Sequence, residues 1–361
     1  MRVKAKCVLL LVLLTVLGIT LLYNYHAAVD EEVPGELTRR ERLLLQQVTR
    51  DPNRVIHYNY PITNEASISR EPIDISVEMP AWQEVDKHIV VVTGFSQKKA
   101  YVGLGLIASV QAHMPVKKII VYNLGVHPKI VKQMEQMCNV EVRRFNFTNY
   151  PKHAAKIDNK AWKIFALREV LMEYGGFFYA SPQVRFRAPI NFIIPYILKH
   201  EGIIATTNPQ NLSVEVTHPD LYGILRTSPA RFTKAHPNAF IASEHMWLAL
   251  NGTVPETKIW TPLLDCASNW RCIGPHGSTW GDIEPNVNST KAHTHRYDMS
   301  ALSLLLYRNY YDSWHSDTSM NAILKRIADV IYHLDLHDYL WAHYCNPPKK
   351  EIDCSIERKL C

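Results

Sequence analysis

The loop Ala180–Arg185 carries three polar side chains, Ser181, Gln183 and Arg185, and no carboxylate. It follows the short apolar run Phe177-Phe178-Tyr179, which has strand propensity. Ligands of open α/β sheets collect just beyond the carboxyl ends of strands, so this loop lies where chemistry is expected. Arg185 there suits an anion, against the plainer role of a surface salt bridge. Lys163 sits in a helical run that otherwise packs, an unusual place for a charge; its plainer role is a snorkelling side chain. Further on, Asp298 offers a carboxylate for general-base work or metal ligation, and its competing role is the N-cap of a helix starting near Ser300. His295 and Arg296 beside it suit ligand contacts or structural hydrogen bonds. His218, within Thr217-His218-Pro219, is a loop histidine of the kind a scaffold positions for binding.

The elements that must position these residues are legible as periodicities. Trp162, Phe165, Ala166, Val170, Leu171 and Tyr174 recur at helical spacing and predict a helix over 159–174. Gly175-Gly176 stops it, because glycine takes the left-handed cap without a Cβ penalty. Upstream, strand-like runs at 88–93, 118–123 and 140–147 alternate with helical runs at 101–113 and 128–137. That alternation predicts an α/β fold with a mixed, mostly parallel sheet flanked by helices. Right-handed crossovers place 94–96 and 123–125 on the same edge as Ser181–Arg185, where Gly94 and Ser96 meet a ligand through the backbone. The second half is less regular: a strand at 202–207, strand then helix over 238–250, and a helix over 301–307. No G-x-G-x-x-G follows the first strand, and neither a P-loop nor a G-x-S-x-G elbow occurs, which disfavours dinucleotide binding, P-loop phosphoryl transfer and ordinary α/β-hydrolase chemistry.

The chain ends speak to compartment. Among 361 residues, Arg2, Lys4 and Lys6 precede an uncharged stretch, 7–23, and Asp30-Glu31-Glu32 follow. This predicts a cytosolic tail at 1–6, a transmembrane signal anchor at 7–23 and a lumenal remainder; the rival is a signal peptide cleaved near Ala27-Ala28 and a secreted product. A Pro-punctuated stretch, 24–86, reads as a stalk before a lumenal domain at 87–345 and a cysteine-bearing tail at 346–361. N-glycosylation sequons at Asn146, Asn211, Asn251 and Asn288 agree. So do six cysteines outside the anchor: Cys138, Cys266, Cys272, Cys345, Cys354 and Cys361. Cys266 with Cys272, and a pair within the tail, are singled out among their possible pairings; with no C-x-x-C pair, zinc is disfavoured. A net charge of +6 without any Lys/Arg run suggests anionic ligands and no nucleic-acid partner.

Several strings carry a resemblance: VVTGFS at 91–96, IIVYNLGV at 119–126, VEVRRFNFTNYP at 140–151, AWKIFALREVL at 161–171, GGFFYASPQVRF at 175–186, THP at 217–219 and HRYDMSAL at 295–302. In this order they resemble an uncharacterised animal family, expanded in nematodes, of glycosyltransferase-like type II membrane proteins. The resemblance implies a fold akin to the glycosyltransferase-A class, a Golgi location, a nucleotide-sugar donor and a glycan or glycoprotein acceptor. It also implies Mn²⁺ or Mg²⁺, held by an acidic loop against the donor diphosphate. Here that loop is Ser181-Pro182-Gln183, where the family usually begins with Asp; Asn123 and Met299 are further departures. Three expectations remain open. Lys160, Lys163 and Arg185 bind the diphosphate without metal; or Asp298 holds a metal with His295 or a tail histidine; or the chain binds a glycan or partner without turnover. Ser181, Gln183, His218, His295 and Arg296 are expected as donor or acceptor contacts.

Overall fold

The computed structural model describes residues 81–279, 293–316, 327 and 331–333. The anchor at 7–23, the stalk up to residue 80, Asn288, Cys345, Cys354, Cys361 and the tail lie outside the described residues. Among the described residues no helix is long and apolar enough to cross a membrane. The fold already includes α1 (Trp82–His88), which begins within the stretch read as stalk and buries Val85 completely.

Three strand–helix units and a fourth strand then follow the predicted order. They are β1 (Ile89–Phe95) and α2 (Ala100–His113), β2 (Ile119–Asn123) and α3 (Pro128–Glu135), β3 (Val140–Arg144) and α4 (Ala161–Tyr174), and then β4 (Gly176–Ala180). The strands lie in the order β3-β2-β1-β4 and all pair in parallel. After β5 (Val184–Phe186) and α5 (Ile194–Lys199), β6 (Ile203–Leu212) joins the far edge of the sheet. The chain continues through α6 (Pro219–Ile224) and α7 (Pro229–Ala235) to β7 (Phe240–Leu250), which lies antiparallel between β4 and β6. The stretch 238–250 is therefore one long strand, not a strand and a helix. The C-terminal part contributes α8 (Thr261–Ser268), α9 (Trp270–Ile273), the short strands β8 (Ser278–Thr279) and β9 (His293–Thr294), α10 (Asp298–Ser316) and β10 (Ile331–His333), which pairs with β5.

Period-two alternation divides the core between the two faces of the sheet. Val90, Val92, Ile120, Tyr122, Phe177, Tyr179 and Trp247 face one core with α4, α8 and α10. Val91, Val121, Phe178, Ala180 and Met246 face the other, with α2, α3 and α5. Buried on both sides, these strands read as nearly continuous apolar runs. Gly175 ends α4 at φ 82°, its N–H donating to Leu171 O at 2.9 Å, as expected of a left-handed cap.

Two features of this topology position a site. The chain moves from β1 to β2 on one side and returns to β4 on the other, so the carboxyl ends of β1 and β4 flank a topological switch point, the usual crevice for ligands in such sheets. At the same level the β6–β7 pairing is irregular. Ala205 faces Trp247, yet Thr207 already faces Ala242, so Ser243–Met246 bulge out of register. Bulges of this kind re-aim side chains next to active sites.

Candidate functional site

Three segments meet at the switch point: the turn after β1, the loop after β4 and the bulge of β7. The junction between β3 and α4 approaches the same point. Asn159 Oδ1 accepts the N–H of Ala161 at 2.9 Å, and Lys160 adopts a left-handed φ of 58°. The helix thus starts with Trp162 and Lys163 turned into the sheet. Trp162 packs its indole where a Gly94 side chain would be: a Cβ at Gly94 would lie 2.7 Å from that ring. Gly94, read as a backbone contact to ligand, is a glycine that makes room for Trp162.

Lys163 is 2% exposed and forms an ion pair with Asp298, itself 1% exposed. Its ammonium lies 3.6 Å from the ring centroid of Trp247 and 4.8 Å from that of Tyr179. Those two aromatics are register partners across β4 and β7, so the sheet builds a cation-binding wall for the lysine. Burial pushes the Lys163 ammonium below its ordinary range while Asp298 pulls it back up. Burial likewise pushes the Asp298 carboxyl up, and Lys163 draws it down. Asp298 opens α10 directly after Tyr297, a second non-glycine residue with positive φ, at 47°. Strained residues of this kind cluster at functional sites.

Enclosure changes the role expected of Asp298. A carboxylate 1% exposed and paired to Lys163 does not meet an acceptor hydroxyl, so Asp298 is a positioning residue for Lys163. The half-buried carboxylate at this edge is Glu244, in the bulge of β7. Burial raises its pKa, but Lys99, Lys160, Lys163 and His245 together outweigh that and hold it below the usual carboxylate range. Lys99, on the turn after β1, donates from Nζ to Gln183 Oε1 at 2.7 Å. Ser181 N donates to His245 O at 2.9 Å, tying the loop after β4 to the bulge. The Ser181 hydroxyl is 3% exposed and has no hydrogen-bond partner among the described residues.

Lys160, Lys163, Ser181 and Gln183 lie around the switch point, and Ser96 lies half-buried on the turn leading to Lys99. Three other expectations need correction. Arg185 is fully buried, and its guanidinium donates to the carbonyls of Pro182 (2.9 Å), Val184 (2.8 Å) and Val102 (2.9 Å). It packs where a Gly105 side chain would stand. It pins the loop and is not placed to take a phosphate. His295 is fully buried, accepting from His218 N at Nδ1 (3.2 Å) and meeting Ile273 O at Nε2 (3.2 Å). Burial, reinforced by His218 and opposed by the Ile273 carbonyl, holds it down to about 3. It is a neutral structural ring that serves neither ligand nor metal. His218 caps α6, its Nδ1 accepting from Asp220 N at 3.2 Å. The Arg296 N–H donates to Val216 O and Ser300 Oγ, both at 3.1 Å, joining the same frame.

The residues missed in the sequence are Lys99, Glu244, Tyr179 and Trp247. One signal was available: Ser243-Glu244-His245 is a polar triplet inside an otherwise apolar strand.

The donor set does not fit Mn²⁺ or Mg²⁺. Those ions take several oxygen ligands, usually including carboxylates. Here Ser181 stands where the acid is expected, Gln183 holds Lys99, Asp298 is paired with Lys163, and Glu244 lies in the field of Lys99, Lys160 and Lys163. Among the described residues no group of three His, Cys, Asp or Glu side chains could hold a metal. Elsewhere, Cys266 and Cys272 are disulfide-bonded, joining α8 to α9, and Cys138 is also disulfide-bonded. Asn146 is an exposed sequon, whereas Asn211 and Asn251 are half-buried and the Ser213 of one is fully buried.

Residues 68–168 match a family described as "Protein of unknown function (DUF1647)". Comparison with curated proteins finds no match. Solved structures similar to parts of the chain include the bifunctional glycosyltransferase WbbM in its apo form, at 14% identity and a TM-score of 0.34, covering 49% of this chain and 34% of that one. Another is the galactosyltransferase LgtC in complex with donor and acceptor sugar analogues, at 14% identity and 0.31, covering 44% and 57%. A third is the glycosyltransferase GlyE of Streptococcus pneumoniae TIGR4, at 10% and 0.38, covering 71% and 59%. The chain thus spans about a third and somewhat over half of the first two, and likenesses this faint carry no weight for the chemistry.

Proposed function

We propose that the chain is a glycosyltransferase, moving a hexosyl or similar group from a nucleotide-sugar donor to a glycan or protein acceptor. The observation that carries this reading is the buried Lys163–Asp298 pair, walled by Trp247 and Tyr179, at the switch point between β1 and β4. A diphosphate leaving group gains negative charge as the bond to the anomeric carbon breaks, and pre-placed ammonium groups stabilise that charge without reorganising. Lys163 stays enclosed against Asp298 and acts on the site through its charge alone, whereas Lys99 and Lys160, each half-buried, are the ammonium groups that can touch a ligand. In the transfer, the acceptor oxygen bonds to the anomeric carbon as the carbon–oxygen bond to the diphosphate breaks. The acceptor proton passes to Glu244 and the electron pair leaves with the diphosphate. The sequence resemblance supports the same reaction class.

The location that fits is the Golgi membrane, with a type II anchor at 7–23 and the site in the lumen. The supporting features are the uncharged run, the sequons and the disulfide-bonded cysteines. Glycosidase treatment should remove mass from the full-length chain, and Asn146→Gln should abolish part of that change; a chain with no glycan at any sequon would refute the lumenal placement.

Thermal unfolding of the full-length chain with UDP, GDP or CMP tests the donor site. At a ligand concentration about 100 times Kd, binding to the native state stabilises it by about 2.7 kcal/mol, a rise of roughly 5–10 °C for a domain of this size. The alternative, a glycan-binding or scaffold protein without turnover, is favoured by Ser181 in place of the acid. No shift with any nucleotide would decide for it.

A further inference from the structure

Three lysines, Lys99, Lys160 and Lys163, share the switch point with Glu244, Asp298 and the exposed Asp158. Lys99 reaches back to Gln183, at the third position of the loop Ser181-Pro182-Gln183, with a 2.7 Å hydrogen bond. A positive charge therefore already stands at the loop that would otherwise present acids to a metal. Lys163, on α4, is enclosed against Asp298, and Lys160 at the start of that helix adds its charge to the same field. Glu244, in the bulge of β7, lies within the field of all three lysines. The Ser181 hydroxyl, buried and without a hydrogen-bond partner among the described residues, stands in the same loop.

We infer that this edge is a cation-free phosphate site: Lys99, held on Gln183, acts with Lys160 to take the diphosphate of a nucleoside-diphosphate sugar directly, with the enclosed Lys163 adding its charge from behind, where a divalent cation would otherwise sit. This rests on the donor reading above and says how the donor is held. Lysine binds phosphate as a point charge with three donors and needs no bridging ion. A divalent cation at the same place would meet three like charges and few free oxygen ligands. Glu244 has the opposite relation to the ligand: it is the acid the lysines face before the donor arrives, and it repels the incoming phosphate. This gives Glu244 a sign that a metal-ligating carboxylate does not have.

The test is titration calorimetry of the full-length chain with UDP and with GDP, each in EDTA and then in MnCl₂. The expected result is a Kd that agrees within about 3-fold between the two conditions for whichever nucleotide binds. Lys99→Met should weaken that Kd by about 10- to 100-fold in both, the span of one charge-assisted hydrogen bond, and added Mn²⁺ should not restore it. Glu244→Gln should tighten it. If Lys99→Met fails to fold, as thermal unfolding would reveal, Gln183→Ala releases the same ammonium and is expected to weaken binding in the same direction. Binding that requires Mn²⁺, or a Glu244→Gln chain that binds less tightly, overturns the inference and leaves the donor reading intact. Absence of binding by either nucleotide in both conditions overturns both.

Discussion

Replacing Lys163 with methionine isolates the buried pair. The substitution keeps most of the aliphatic stem against Trp247 and Tyr179 but leaves the Asp298 carboxylate, 1% exposed, with no cation in contact. Removing one partner of a buried pair costs about 3–5 kcal/mol, because the surviving charge must stay desolvated or take up a proton. At about 2–4 °C per kcal/mol for a domain of this size, the midpoint should fall by roughly 6–20 °C. Asp298→Asn should cost less than Lys163→Met, since the ammonium keeps its two aromatic walls. The double change Lys163→Met/Asp298→Asn should recover stability relative to the sum of the singles, with a coupling of about 2–3 kcal/mol. Thermal unfolding of the four full-length chains gives all three quantities. Tryptophan emission offers a second readout, because the removed charge lies 3.6 Å from the Trp247 ring centroid. The reasoning is refuted if Lys163→Met shifts stability by less than about 1 kcal/mol, or if the two single effects simply add.

Other consequences are as direct. Folding depresses the pKa of His295 from about 6.5 to about 3, so the unfolded chain takes up a proton that the folded chain refuses. Stability from this group is complete above about pH 6.5 and lost as pH falls, by about 2 kcal/mol at pH 5; a His295→Gln chain should show a flatter decline between those values in urea titrations. Gly94→Ala places a Cβ 2.7 Å from the Trp162 ring and should cost about 1–3 kcal/mol, measured by thermal unfolding; an unchanged midpoint would mean the indole moves freely. Arg185→Met leaves three carbonyls without their donor and should lower stability by at least about 2 kcal/mol. If it folds at low temperature, its nucleotide Kd should match the parent, whereas selective loss of binding would return Arg185 to the site.

The parallel half of the fold is legible in the sequence because each β-strand and helix there carries its own period and its own stop signal, Gly175 being the clearest. The antiparallel half is less so. Phe240–Leu250 contains Ala, Glu, Met and Leu, good helix formers, and becomes a strand only because β4 and β6 flank it. Local propensity does not register such neighbours. The site shows the same division. Lys163 stands out as a charge on a packing helix, and the loop after β4 is placed by topology. The direction of a guanidinium is not written in local sequence, which is why Arg185 reads as a ligand and turns out to be a pin. Lys99 and Glu244 come together only through the register of β7 against β4 and the bulge that breaks its register with β6.

The Lys163–Asp298 pair joins one helix from the parallel half to the first residue of α10, far along the chain. Synthesis at about 5–20 residues per second means that roughly ten seconds separate the emergence of the two partners. During that interval β1, β2, β3 and β4 can assemble, but α4 lacks the acid that allows its lysine to be enclosed. The first half of the nascent chain therefore carries an unsealed face at α4. Truncations ending before α10 should be retained by chaperones, because they lack the acid that encloses Lys163.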